Sequence, residues 1–167
     1  LILICLITCV LFAQQPPAQL PSLLEENSLA VPILHGDENP DALIRKNVFV
    51  KITSDKSAVF TGEPFLVTYK LFTAYDVDPR VKKQPSFTGC SVVELSAENE
   101  PAEVMLEGKK FHVYTIRKIQ VTPLEEGILQ LGQVYVDNII QLLHDDGRGI
   151  ENFSITLHND PLNITVK

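Results

Sequence analysis

Tryptophan is absent from this 167-residue chain, methionine occurs once, and cysteine occurs three times. Without tryptophan and with four tyrosines, the sequence is poor in the flat side chains that line carbohydrate grooves. Two of the cysteines, Cys5 and Cys9, lie in an apolar N-terminal run and leave with it if that run is removed. Cys90 then stands alone, which excludes an internal disulfide and a cysteine-based metal site. Positive charge is also scarce: 14 Lys and Arg against 21 Asp and Glu give a net charge of -7. Nucleic-acid binding needs clustered cations to neutralise phosphates, so that class is excluded.

Long apolar runs are missing as well. The longest, Leu1 to Phe12, is interrupted by Thr8 and falls short of the roughly 20 residues that span a bilayer as a helix. Ala13-Gln14-Gln15-Pro16-Pro17 follows it, a small residue and then a polar, proline-rich exit. That order reads as a secretory signal peptide over residues 1–13, clipped at the front. Leu6-Ile7-Thr8-Cys9 echoes a lipoprotein signal, but Thr8 is larger than the residue such signals place before the cysteine. Cleavage after Ala13 is the reading. Residues 14–46 show turn formers and prolines with no sustained period, and predict an irregular linker or arm.

What is present begins at Asn47, where the apolar period becomes two. Val48, Val50 and Ile52 alternate with polar or outward residues. Phe65, Val67, Tyr69 and Leu71 make the clearest half-buried strand. Further strands are expected at Phe87–Leu95, Val104–Leu106, Phe111–Thr122, Ile128–Val136, Phe153–Leu157 and Leu162–Val166, with a tight turn at Gly108. No amphipathic helix of ten or more residues is expected. The pattern predicts an all-β, two-sheet antiparallel β-sandwich of the immunoglobulin-like kind over residues 47–167.

Two alternations break: Ile116 to Ile119, and Leu131 to Val134. If Phe111–Thr122 and Ile128–Val136 are arms of one hairpin around Pro123–Gly127, the breaks lie opposite each other. A bulge or kink at Arg117-Lys118 and Leu131-Gly132 would then return Tyr114, Ile116, Ile119 and Val121 to one face, together with Leu129, Leu131, Val134 and Val136.

Motifs that carry chemistry are missing. There is no Gly-x-Ser-x-Gly elbow and no glycine loop opening a helix. The histidines, at positions 35, 112, 144 and 158, lack zinc-helix spacing, and His112 and His158 fall at outward strand positions. Asp76-Val77-Asp78 and Asp145-Asp146-Gly147 lack the remaining ligands of a calcium loop. No catalytic residue, metal or cofactor is assigned, and the chain is read as non-enzymatic. Cys90 reads as a packed strand residue, with a reactive thiol as the alternative. Arg80, Lys82 and Lys83 form a small cationic rim, read as edge protection or a partner contact.

The order of the segments "FVKITSDKSAVFTGEPFLVTYKLFTAYDV", "QPSFTGCSVVEL" and "GKKFHVYTIRKIQVTPLEEGILQLG" resembles the N-terminal domain of BatD, the bacterial oxygen-tolerance (aerotolerance) family, in its Bacteroidetes form. The resemblance covers about Phe49 to Lys167. It implies an exported protein on the periplasmic face of the inner membrane, with tandem immunoglobulin-like domains and a C-terminal transmembrane anchor that this sequence does not contain. It implies von Willebrand A-type and tetratricopeptide-repeat partners and no catalytic residue. The expected function is protein–protein interaction; a carbohydrate- or surface-binding sandwich and a Cys90 redox sensor are the alternatives.

Overall fold

Asn39 begins the first regular helix by accepting the Ala42 N–H at 3.1 Å, with Pro40 in the first turn where a missing N–H costs nothing. The helix α1 (Pro40–Asn47) places Asp41 in its first turn and Arg45 and Lys46 in its last, complementing the helix dipole. It stops where the β-branched, extended residue Val48 takes φ -138°. The computed structural model describes residues 31–96 and 100–167. The expected signal peptide and most of the expected arm lie outside the described residues.

Before α1 comes a short strand, β1 (Ile33–Leu34). After it follow β2 (Val48–Ser54), β3 (Ala58–Val59), β4 (Phe65–Thr73), β5 (Arg80–Lys83), β6 (Cys90–Leu95) and β7 (Ala102–Leu106). The chain continues through β8 (Lys109–Pro123), β9 (Gly127–Leu131), β10 (Tyr135–His144), β11 (Gly149–His158) and β12 (Leu162–Val166). The all-β sandwich is therefore present. Its N-terminal boundary is earlier than the sequence suggests, because β1 pairs with β10 and Ile44 of α1 is buried in the core. Residues 33–46, expected as part of an irregular arm, are thus integrated into the domain.

One layer is a five-stranded sheet in the order β2-β4-β8-β6, with β7 also on β8. The other consists of a sheet built on β10 and β11, with β1 and β5 on the outer side of β10, and a three-stranded sheet β3-β12-β9. β9 pairs with β12 and β10 with β11, and the register Leu131↔Leu162 resumes as Tyr135↔His158 after the interruption. The two pairs are therefore one long antiparallel ladder, broken at Gly132–Val134 and at Asn159–Pro161. Asn159 fills the break: it is fully buried and its Oδ1 accepts the Val134 N–H at 2.9 Å, replacing a ladder bond.

Phe65, Val67, Tyr69 and Leu71 of β4 are all buried, facing Ile140, Leu142, Leu131, Ile164 and their neighbours in one continuous core. Each such side chain contributes about 1.5–3 kcal/mol by leaving water.

The expected hairpin around Pro123–Gly127 does not form. β8 pairs with β4 along one side, and with β7 and then β6 along the other. β6 occupies the β8 edge from Lys118 to Pro123, where β9 would have to pair, so the Leu124–Glu126 segment carries the chain across to the opposite layer. The break in β8 is nonetheless a bulge. Tyr69 pairs with Arg117 and Lys70 with Thr115, leaving Ile116 extra. Tyr114 thereby returns to the face of Ile119 and Val121, opposite buried Leu71. The same flip turns His112 toward buried Thr73, its side chain 12% exposed, correcting its expected outward position.

Candidate functional site

In β10, residues 136, 138, 140 and 142 are buried, while Ile139 and Gln141 are exposed on the outer face. All of β10 pairs with β11. On its other edge, β5 covers only Tyr135–Asp137 and β1 only Leu143–His144. The N–H of Leu143 donates to the Pro32 carbonyl at 2.9 Å, and that of Asp145 to the Leu34 carbonyl at 3.2 Å. In a strand, a residue's N–H and C=O point the same way and alternate from one residue to the next. Ile139 and Gln141 therefore aim their backbone groups at the open edge, where no described strand pairs with them.

Charged side chains border this opening. Lys82 Nζ lies 3.4 Å from Asp137 Oδ2, and Asp137 also accepts from the Thr156 hydroxyl at 2.5 Å. These contacts hold the Asp137 carboxyl below its usual range, the Thr156 hydrogen bond most of all. Arg80 pairs with Asp78 at 3.0 Å. Together with Asn138, Ile139 and Ser154, these residues border a depression of about 370 Å³. Asn138 is buried; its Nδ2 donates to the Val136 carbonyl at 3.2 Å, and its Oδ1 has no donor among the described residues.

Of the cationic rim expected from sequence, Arg80 and Lys82 stand at this opening on β5. Lys83 turns to Tyr135, its Nζ 5.5 Å from the ring centroid, a cation–π contact. The other half of the site escaped the sequence reading. Nothing in "VYVDNIIQLLH" distinguishes a strand paired on both sides from one left open in its middle. Asn138, a polar residue at a core position, was the available signal.

Cys90 opens β6, pairs with Pro123 and is partly buried against the core. Burial pushes its thiol above the ordinary range, the opposite of what a thiolate nucleophile needs. The histidines are dispersed: His35 bonds Asp145 at 2.8 Å, His144 bonds Glu151 at 2.8 Å, and His158 meets Gln133 at 3.1 Å. Among the described residues no group of His, Cys, Asp and Glu is gathered to hold a metal ion, and no helix is long and apolar enough to cross a membrane.

Compared with known protein families, curated proteins and solved structures, the chain gives no match.

Proposed function

We propose that this chain is a non-enzymatic, exported interaction module of a BatD-like aerotolerance protein, with an immunoglobulin-like sandwich that holds an extended partner segment along β10. The observation that carries the reading is the open edge at Ile139 and Gln141, flanked by β5 and β1. An added strand would satisfy those backbone groups, the main source of affinity in strand addition, while side chains at the rim set specificity. The resemblance of the sequence motifs to BatD supports placement at the periplasmic face of the inner membrane. It also supports von Willebrand A-type proteins as the candidate partners, with tetratricopeptide-repeat proteins beside them. The finer roles of Arg80 and Lys82 follow from their position: they orient an incoming strand at the β5 end of the gap.

Amide hydrogen exchange tests this. In the chain alone the Ile139 and Gln141 amides exchange quickly, while those of Ile140 and Leu142, which point toward β11, are protected. Adding a periplasmic A-type domain slows Ile139 and Gln141. Protection of both amides in the chain alone, or no change with the A-type domain, overturns the reading.

A further inference from the structure

A second depression, of about 640 Å³, lies between α1, the outer face of β2 and the β7–β8 turn. Its volume is in the range of small-ligand sites, roughly 300–1,000 Å³. Its floor is aromatic. Phe49 and Phe111 line it and tilt against each other at 5.5 Å, and Phe72, outside the lining, stacks on Phe49 at 5.1 Å. The bulge in β8 makes this floor possible, because it sends Phe111 to the face opposite Tyr114 and onto the outer side of the sheet.

Lys46, Lys51 and Lys109 line the same cleft. Every arginine in the chain is ion-paired, as are Lys56, Lys82 and Lys110. Among the described residues, none of the three cleft lysines is within ion-pair distance of a carboxylate. Two of them, Lys51 and Lys109, lean on rings instead. Lys51 Nζ stands 5.1 Å from the Phe49 centroid and 5.7 Å from that of Phe72; Lys109 Nζ stands 5.2 Å from that of Tyr75. Lys109 also donates to Asn47 Oδ1. Burial lowers its pKa, and the nearby charge of Lys46 lowers it further, so a second cation stands close to Lys109.

The rim is strained. Glu107 has φ 51° beside Gly108 at φ 77°, a two-residue turn of the kind that favours Asn-Gly. A glutamate in the left-handed region costs about 1 kcal/mol. Such strain concentrates at ligand clamps. Glu107 and Glu38 are the acidic residues on the rim, leaving the cleft with a surplus of positive charge in an acidic protein.

We propose that this cleft binds a small organic acid: a carboxylate carried on a planar apolar body, the body on Phe49 and Phe111 and the carboxylate between Lys51 and Lys109. The proposal is independent of strand addition at β10, since the residues involved are different. A ligand of this class would exchange the lysines' weak contact with ring faces for charge-assisted hydrogen bonds, which are about twice as strong as neutral ones.

Naphthoate is a suitable probe, with naphthalenemethanol as the uncharged control, read by NMR shifts of the full chain. Naphthoate shifts the Lys51, Lys109, Phe49 and Phe111 signals saturably, and naphthalenemethanol binds at least about tenfold more weakly. Lys51→Gln and Lys109→Gln each weaken naphthoate roughly tenfold with the circular dichroism spectrum unchanged. Lys51 is exposed, so its variant keeps the test valid should Lys109→Gln fail to fold. Equal binding of the two probes, unaltered affinity in Lys51→Gln, or no binding of naphthoate overturns the proposal.

Discussion

The hydroxyl of Tyr69 donates to the carbonyl of Gly132 at 3.0 Å, across the core from one layer to the other. Tyr69 faces Arg117 at the β8 bulge, and Gly132 opens the break between β9 and β10. The two irregularities in the sequence are thus linked through one phenol. Tyr69 is fully buried, and that burial pushes its pKa well above the ordinary tyrosine value.

Tyr69→Phe removes the only hydroxyl in that contact and leaves the Gly132 carbonyl to find another donor. Equilibrium denaturation should show a loss of about 1–3 kcal/mol, with the slope against denaturant unchanged. Gly132→Ala should lose a comparable amount for a steric reason: its added Cβ would stand 2.9 Å from the backbone oxygen of Ser86, which is not a flexible side-chain end. A neutral result in both variants would remove the link from the account of stability.

Asn159→Ala is expected to destabilise by about 1–3 kcal/mol, because the Val134 N–H is buried there and has no other acceptor among the described residues. Asn159→Asp keeps an acceptor but brings a charge into a fully buried position. It should therefore be as costly or worse at neutral pH and improve on acidification. Thermal melts at two pH values check both.

Asn138→Leu should raise stability, by about 1 kcal/mol, since it replaces a buried amide whose oxygen has no donor among the described residues. A drop in stability on denaturation would show that Asn138 is better satisfied than its described contacts indicate.

Cys90 should resist alkylation by iodoacetamide at neutral pH relative to an unfolded control, because burial raises its thiol pKa and lowers the thiolate fraction. Fast labelling of the native chain, followed by mass spectrometry, would revive the redox-sensor alternative.

His35 is held above its ordinary value near 6.5, chiefly by its hydrogen bond to Asp145, with Asp145, Glu38 and Asp37 adding attraction. A raised folded-state pKa means that protonated His35 favours the native state. Its contribution is fully present below the unfolded value and fades as pH rises through the folded one. An NMR titration of His35 should show the raised midpoint, and Asp145→Asn should lower it. The pair is exposed, so the effect on global stability is small and local fastening of β1 is the better readout.

Much of the sandwich was legible in the chain. Period-two alternation at Phe65–Leu71, the Gly108 turn and the scarcity of helical pattern set an all-β fold, because a strand that buries one face must write that face into every second residue. The breaks at Ile116–Ile119 and Leu131–Val134 likewise announced real departures from regular strand. Pairing was not legible. Tyr114–Thr122 and Ile128–Val136 look like neighbours because a short turn joins them. Whether β8 has a free edge, however, depends on β4, β6 and β7, which approach from distant parts of the chain. Residues 33–46 hid their strand and helix for the same reason: β1 exists only because β10 lends it partners. Local sequence therefore determined most inward faces, His112 excepted, and where strands bend. The tertiary structure alone decided which backbone edges are filled, which is why the opening at Ile139 and Gln141 and the cleft of Lys46, Lys51 and Lys109 emerge only when the layers are assembled.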